Sequence, residues 1–201
     1  MTKHFSLLFS LLLCFSASAQ TLLILGDSLS AGYQMSAEEA WPSLLGAELE
    51  KNNQSVRVIN ASVSGDTSGN GLAKLPALLE EYNPTSVLIE LGANDGLRGF
   101  PPKVLKDNLH QMITLIKQTD AQAYIMQIRV PPNYGKRYQT LFEDVYPQIS
   151  QEAEIPLIPF FLEHVILQED WMMTDGLHPK AEAQPWIAGY VTTELEPYFP
   201  L

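Results

Sequence analysis

The stretch that decides the fold is "TLLILGDSLSAGY", residues 21–33, in which an apolar run ends at a glycine turn. Residues 21–25 have the length and composition of a buried strand. Gly26-Asp27-Ser28 follows at once, so the sequence predicts a strand that ends in a tight turn carrying a serine. A serine hydroxyl is a weak nucleophile by itself, so a catalytic role for Ser28 requires a base elsewhere in the chain.

Similar apolar runs recur along the chain and alternate with helix-like stretches. The runs alternate only weakly in polarity, which is typical of strands that are covered on both faces. Alternating strands and helices predict an α/β fold, with a parallel sheet and helices on both of its faces. The predicted strands are 21–25, 55–60, 86–91, 123–128 and 155–160, and the predicted helices are 37–51, 70–82, 103–118, 138–152 and 181–195.

The first nineteen residues differ from the rest of the chain. Lys3 precedes an apolar run that is too short to cross a bilayer comfortably, and Ala17-Ser18-Ala19 follows that run. This order is typical of a cleaved secretory signal, with cleavage between Ala19 and Gln20. We therefore expect residues 1–19 to be a signal peptide, residues 20–201 to form one domain, and the mature protein to be periplasmic or secreted.

Charge and cysteine content exclude several classes of function. The net charge of −11 makes nucleic acids and anionic membranes poor partners. Cys14 is the only cysteine and lies in the predicted signal, so a cysteine nucleophile is excluded. The segment "GDTSGNG" (65–71) has neither the glycine order of a dinucleotide-binding motif nor a Walker lysine.

Histidine is the side chain that most often serves as a base for serine, and the chain has four of them. His4 lies in the predicted signal, His110 lies inside a helical pattern, and His164 has no partner at metal-ligand spacing. His178 differs, because it stands in the loop-like segment "TDGLHP" with Asp175 three residues earlier. A carboxylate at this position can fix the tautomer of the imidazole and stabilise its protonated form.

Glycine turns also follow the second and third predicted strands. Ser64-Gly65-Asp66 follows the second strand and Gly92-Ala93-Asn94-Asp95 follows the third. Parallel sheets bind ligands beyond the carboxyl ends of their strands, so these turns and Ser28 are predicted to share one rim. The N–H groups of Ser28 and Gly65 and the side-chain amide of Asn94 would then form an oxyanion hole for acyl transfer.

Each of these turns also has an ordinary structural interpretation when taken alone. It is their joint occurrence with Asp175 and His178 that favours catalysis. The nucleophile-elbow pattern G-x-S-x-G is absent, because Ser30 stands where its last glycine would be.

The sequence resembles the SGNH (GDSL) hydrolase family in four blocks: "GDSLS" (26–30), "SGDTSGNG" (64–71), "GAND" (92–95) and "DGLHP" (175–179). The resemblance implies a three-layer, flavodoxin-like fold with a five-stranded parallel sheet. It also implies Ser28 as nucleophile, His178 as base, Asp175 as its orienting acid, and the oxyanion donors named above. An acyl groove would be lined by Leu97, Phe100 and Val130, and no metal or cofactor is implied.

The expected function is that of a serine hydrolase with esterase, thioesterase and lysophospholipase activity, forming an acyl-enzyme on Ser28. We expect a monomer that acts on small acyl esters, thioesters or lysophospholipids and neither binds nucleic acid nor inserts stably into a membrane. Two alternatives are a carbohydrate acetylesterase of the same family and a non-catalytic periplasmic acyl-binding protein. A preference for acetylated glycans would indicate the first, and an unreactive Ser28 would indicate the second.

Overall fold

The computed structural model describes residues 20–52 and 54–199, and its centre is a five-stranded parallel sheet. The strands are β1 (Gln20–Gly26), β2 (Val56–Asn60), β3 (Ser86–Glu90), β4 (Gln122–Met126) and β5 (Leu157–Ile158), in the order β2-β1-β3-β4-β5. This is the flavodoxin-like order, and it confirms the predicted fold class. The strand expected over 155–160 is shorter than predicted, because Pro156 and Pro159 bracket it and a proline donates no ladder hydrogen bond.

The helices are α1 (Ser28–Ala31), α2 (Trp41–Lys51), α3 (Ser68–Tyr82), α4 (Ala93–Leu97), α5 (Pro102–Lys117), α6 (Lys136–Glu143), α7 (Val145–Ala153), α8 (Leu162–Val165) and α9 (Gln184–Leu195). The helix predicted from residue 37 begins only at Trp41, since Pro42 is tolerated only in a first turn. The helix predicted over 138–152 is two helices that meet at Asp144. Pro147 has no N–H for the carbonyl of Glu143, which explains the break. A 3₁₀ turn, Ala181–Ala183, replaces the start of the helix predicted over 181–195.

The helices form a layer on each side of the sheet. Helix α2 contacts α9, whereas α3 contacts α5 and α5 contacts α7. Right-handed crossovers that run in opposite directions across a sheet place their helices on opposite faces, so these two groups are the outer layers. The sheet between them is buried, with Leu22–Leu25 of β1 and Val87–Ile89 of β3 fully excluded from solvent.

The chain direction across the sheet reverses between β1 and β3. Helix α1 follows β1, and α4 follows β3, so both begin at this switch point. Connections that leave neighbouring strands in opposite directions open a crevice at their carboxyl ends. Ser28 and Asn94 therefore lie beside one crevice, as the sequence predicts. The predicted signal peptide, residues 1–19, lies outside the described residues, and none of the described helices is long and apolar enough to cross a membrane.

Candidate active site

Ser28 is the first residue of α1 and does not lie in the simple turn predicted from the sequence. Asp27 caps this helix, since its Oδ1 accepts a hydrogen bond from the N–H of Leu29 at 3.1 Å. The strand–cap–helix sequence turns the chain sharply at the end of β1. The Ser28 side chain consequently faces the crevice, where it contacts His178.

The structure brings Ser28, His178 and Asp175 together. Ser28 Oγ lies 2.8 Å from His178 Nε2, although 150 residues separate the two in sequence. On the other side of the ring, His178 Nδ1 lies 2.7 Å from Asp175 Oδ2. The loop that carries them is held by a hydrogen bond from Met173 N to the His178 carbonyl at 2.8 Å and by an antiparallel bridge between Met172 and Pro179.

The carboxyl of Asp175 is held in its ionised form. Burial opposes its ionisation, but hydrogen bonds from the N–H of Leu177 and from His178 outweigh burial and lower the pKa of Asp175 below its ordinary value. An ionised Asp175 accepts the Nδ1–H of His178. That leaves Nε2 free to accept a proton from Ser28.

The three predicted oxyanion donors border the same cleft as His178. Gly65 has a left-handed φ of 88°, a conformation that favours glycine, and its carbonyl accepts from Arg98 at 3.1 Å. Among the described residues, the backbone N–H groups of Ser28 and Gly65 donate to no backbone carbonyl. Asn94 Nδ2 donates to the Asp66 carbonyl at 2.9 Å and to Asp27 Oδ2 at 3.2 Å, and these contacts fix its orientation.

Two turns are fixed next to Asn94. Gly92 has a φ of 129°, and a Cβ at that position would overlap the Tyr146 hydroxyl, so only glycine fits there. Asp95 is buried and accepts hydrogen bonds from the N–H and hydroxyl of Ser68, which ties α4 to the start of α3. The loops after β2 and β3 are thereby held as one unit.

Two further carboxyls, Asp27 and Glu90, lie buried beneath the nucleophile. Glu90 Oε2 accepts from the Ser30 hydroxyl at 2.7 Å and from the Asp27 N–H at 3.4 Å. Burial raises the pKa of Glu90 well above its ordinary value, and the nearby Asp27 raises it further. Burial also raises the pKa of Asp27 to about 7, against the opposing hydrogen bonds from Leu29 and Asn94. The pair therefore resists carrying two negative charges.

A cleft of about 590 Å³ extends from Ser28 and His178. Leu97 and Val130 line it, as predicted, whereas Phe100 is not among the described residues that do. Phe100 follows the turn that ends α4, and its side chain is 38% exposed, because this turn carries the chain away from the cleft. The remaining apolar lining includes residues that no motif in the sequence singles out: Leu29, Pro131, Pro132, Phe160, Leu162, Ile166 and Leu177.

Charged groups at the cleft are few. Arg129 pairs with Glu163 at 2.8 Å and with Glu143 at 3.4 Å, and both Arg129 and Glu163 border the cleft. Among residues 20–52 and 54–199, no group of three His, Cys, Asp or Glu side chains is arranged to bind a metal ion. Sequence reasoning missed the position of Glu90, whose signal was a single charge inside the apolar run "SVLIEL" (86–91).

Comparisons with known proteins agree with this geometry. Residues 24–184 match the model of the GDSL-like lipase/acylhydrolase family. The chain is 62% identical over 188 residues to an arylesterase of Vibrio mimicus, covering 92% of this chain and 94% of that protein. It is 51% identical over 195 residues to thioesterase 1/protease 1/lysophospholipase L1 of Escherichia coli K12, covering 96% and 92%.

A solved structure is also similar. The psychrotrophic esterase EstA from Pseudoalteromonas sp., inhibited by monoethylphosphonate, superimposes with a TM-score of 0.86 at 44% identity. The similarity covers 89% of this chain and 98% of that one.

Proposed function

This chain belongs to the GDSL-like lipase/acylhydrolase family, and we propose that it hydrolyses acyl esters and thioesters, lysophospholipids included, through an acyl-enzyme on Ser28. One observation carries the proposal. The Ser28 hydroxyl, the His178 imidazole and the Asp175 carboxylate form a continuous hydrogen-bonded chain with separations of 2.8 and 2.7 Å. This chain opens onto an apolar cleft rather than onto a polar surface.

The first half of the reaction follows from these contacts. Ser28 Oγ attacks the substrate carbonyl carbon while its proton passes to His178 Nε2. Asp175 stabilises the imidazolium that forms. When the tetrahedral intermediate collapses, the alcohol or thiol leaves with the proton from His178 and the acyl group stays on Ser28.

The second half regenerates the enzyme. A water molecule gives its proton to His178 Nε2 as its oxygen attacks the acyl carbon. The second tetrahedral intermediate then releases the carboxylic acid, and the proton returns to Ser28 Oγ. No group beyond the protein and water is needed to balance either step.

The negative oxygen of each intermediate would be stabilised by the N–H groups of Ser28 and Gly65 and by Asn94. The Asn94 amide has two hydrogens, and both have protein acceptors in the resting site. The bond to Asp27 is the longer, at 3.2 Å, and is the one that the oxyanion would replace or share. One such donor contributes about 3 kcal/mol to transition-state stabilisation.

The acyl chain would occupy the apolar part of the cleft. Val130, Phe160 and Leu162 are apolar lining residues, and burying apolar surface contributes roughly 0.8 kcal/mol for each methylene group. Binding should therefore strengthen as the acyl chain lengthens, until the cleft is filled. The names of the arylesterase and thioesterase relatives support this class of substrate.

The test compares the purified wild-type protein with Ser28→Ala on p-nitrophenyl esters of increasing chain length, with a matched thioester series. We expect kcat/KM to rise from acetyl to longer esters and Ser28→Ala to be inactive. A fluorophosphonate probe should label the wild type at Ser28 and leave Ser28→Ala unlabelled. Equal turnover by the two proteins would contradict the nucleophile.

The same experiment separates the alternatives. A sharp preference for acetyl groups on glycans would favour a carbohydrate acetylesterase, and an unlabelled, inactive but folded wild type would favour an acyl-binding protein. Neither alternative is favoured by an observation in the cleft, which is apolar and reaches an intact Ser28–His178 pair.

We also propose that the protein is exported and cleaved between Ala19 and Gln20. Support comes from the basic start, the apolar run and the Ala17-Ser18-Ala19 sequence. Intact mass measurement of protein recovered from the periplasm or the medium should give a chain that starts at Gln20. Retention of residues 1–19 on that protein would contradict cleavage.

A further inference from the structure

The imidazole of His178 has a third neighbour, which the reaction described above does not use. The ring of Tyr33 stacks on it, with centroids 4.2 Å apart and an interplanar angle of 28°. Tyr33 comes five residues after Ser28, just beyond α1, and it borders the cleft. One short segment therefore supplies both the proposed nucleophile and the surface against which the base lies.

The other contacts of His178 leave one motion unrestrained. Asp175 and Ser28 bind the two ring nitrogens within the plane of the imidazole. The hydrogen bond to Ser28 is lost each time the hydroxyl forms a bond to substrate. During that period only Asp175 and the stacked ring of Tyr33 hold the imidazole in position, on a loop joined to its surroundings by few backbone bonds.

Stacking also has an electrostatic consequence. The ring becomes an imidazolium when it takes the proton from Ser28, and the face of an aromatic ring attracts a cation. Tyr33 covers part of one face of a side chain that is only 18% exposed. The positive charge that develops there in the transition state is thus stabilised by an aromatic face as well as by Asp175.

We propose that Tyr33 is a positioning residue for the base, whose ring stacks on His178, keeps Nε2 directed at the reacting atoms and favours the imidazolium. This inference rests on the proposed function, since it assigns Tyr33 a part in the same reaction. The hydroxyl of Tyr33 is not required, because the stacked ring supplies both effects.

The experiment compares Tyr33→Phe and Tyr33→Leu with the wild type, using p-nitrophenyl acetate and a longer ester. Tyr33→Phe should keep kcat within about twofold. Tyr33→Leu should lower kcat about tenfold for both esters with little change in KM. Its acidic limb in the pH–rate profile should move to lower pH by about half a unit, because the imidazolium loses a stabilising neighbour. Tyr82→Leu, at the end of α3 that lies away from the cleft, is the matched control.

Three results would overturn the inference. One is an inactive Ser28→Ala beside a folded Tyr33→Leu that retains wild-type kcat and an unmoved acidic limb. Another is failure of Tyr33→Phe to preserve kcat, which would assign the effect to the hydroxyl. The third is a change confined to KM that grows with chain length, which would make Tyr33 an acyl contact. Wild-type turnover by Ser28→Ala would instead remove the proposed function, and this inference with it.

Discussion

The two halves of the proposed site contain the same chemical group in opposite environments. On the sheet rim, Asp27 and Glu90 are fully buried, and burial raises the pKa of each. On the late loop, the Asp175 side chain is 37% exposed, and hydrogen bonds to its carboxylate lower its pKa. The rim carboxyls hold backbone and side-chain donors in place, whereas the loop carboxylate orients an imidazole.

This difference teaches where stability and turnover reside. The rim half is continuous with the core through β1, β3 and the Asp95–Ser68 contacts, so substitutions there should affect folding as well as reaction. The loop half is joined by few backbone bonds, so substitutions there should affect turnover while leaving stability nearly unchanged.

The strongest test of that separation is His178→Ala. Loss of the base should lower kcat/KM by about 10⁴-fold or more. The melting temperature should stay within about 2 °C, because only loop contacts are lost. Steady-state kinetics and calorimetry measure the two effects. The control is His110→Ala, since His110 pairs with Glu152 on the surface of α5. A similar loss in both variants would contradict a special role for His178.

Asp175→Asn should have the next largest effect, about a 10³-fold loss in kcat. Asparagine can offer an N–H to Nδ1, which would leave the proton on Nε2 and prevent that nitrogen from accepting one from Ser28. Asp175→Ala should be less damaging, because it does not impose the wrong tautomer. Equal loss in the two variants, measured by kcat at saturating ester, would show that the carboxylate acts by charge and not through the tautomer.

Asn94→Ala tests the rim half. We expect kcat to fall about 10²-fold through loss of one oxyanion donor. Unlike the loop variants, it should also lower the free energy of unfolding by about 1 kcal/mol, because the buried Asp27 loses a hydrogen-bond donor. Urea denaturation measures this change. Unchanged stability would break the proposed distinction between the two halves.

The smallest effect concerns the pH dependence of stability. Because the pKa of Glu90 is raised on folding, the folded state keeps a proton that the unfolded state releases. This contribution to stability is complete below the ordinary value of 4.5 and is lost as pH rises. Glu90→Gln should therefore gain stability relative to wild type between pH 5 and pH 8, by about 1.4 kcal/mol for each tenfold difference in proton affinity between the folded and unfolded states. Urea denaturation at both pH values measures it.

Glu80→Gln on the exposed face of α3 is the control for that experiment, and it should show no such trend. A constant difference between Glu90→Gln and wild type at the two pH values would mean that Glu90 ionises normally in the folded protein.

Much of the fold was predictable because buried parallel strands are continuous apolar runs with glycine or proline at their ends. The break at Asp144 was missed, since the apolar spacing continues across it while Pro147 interrupts the hydrogen bonds. Phe100 was predicted to line the groove from its position near Leu97, but the turn after α4 directs it elsewhere. Spacing along the chain does not report the direction of a side chain after a turn.

By itself, the sequence determined the local parts of this protein: the glycine turns at the strand ends, and the short loop in which Asp175 can reach His178. Both depend on residues only a few positions apart, whose geometry is set by backbone conformation. Only the tertiary structure decided that Ser28 meets His178, that Tyr33 covers the imidazole, and that Glu90 lies in an apolar interior. These contacts join distant segments, and the strand order and helix packing that bring them together depend on burial across the whole sheet.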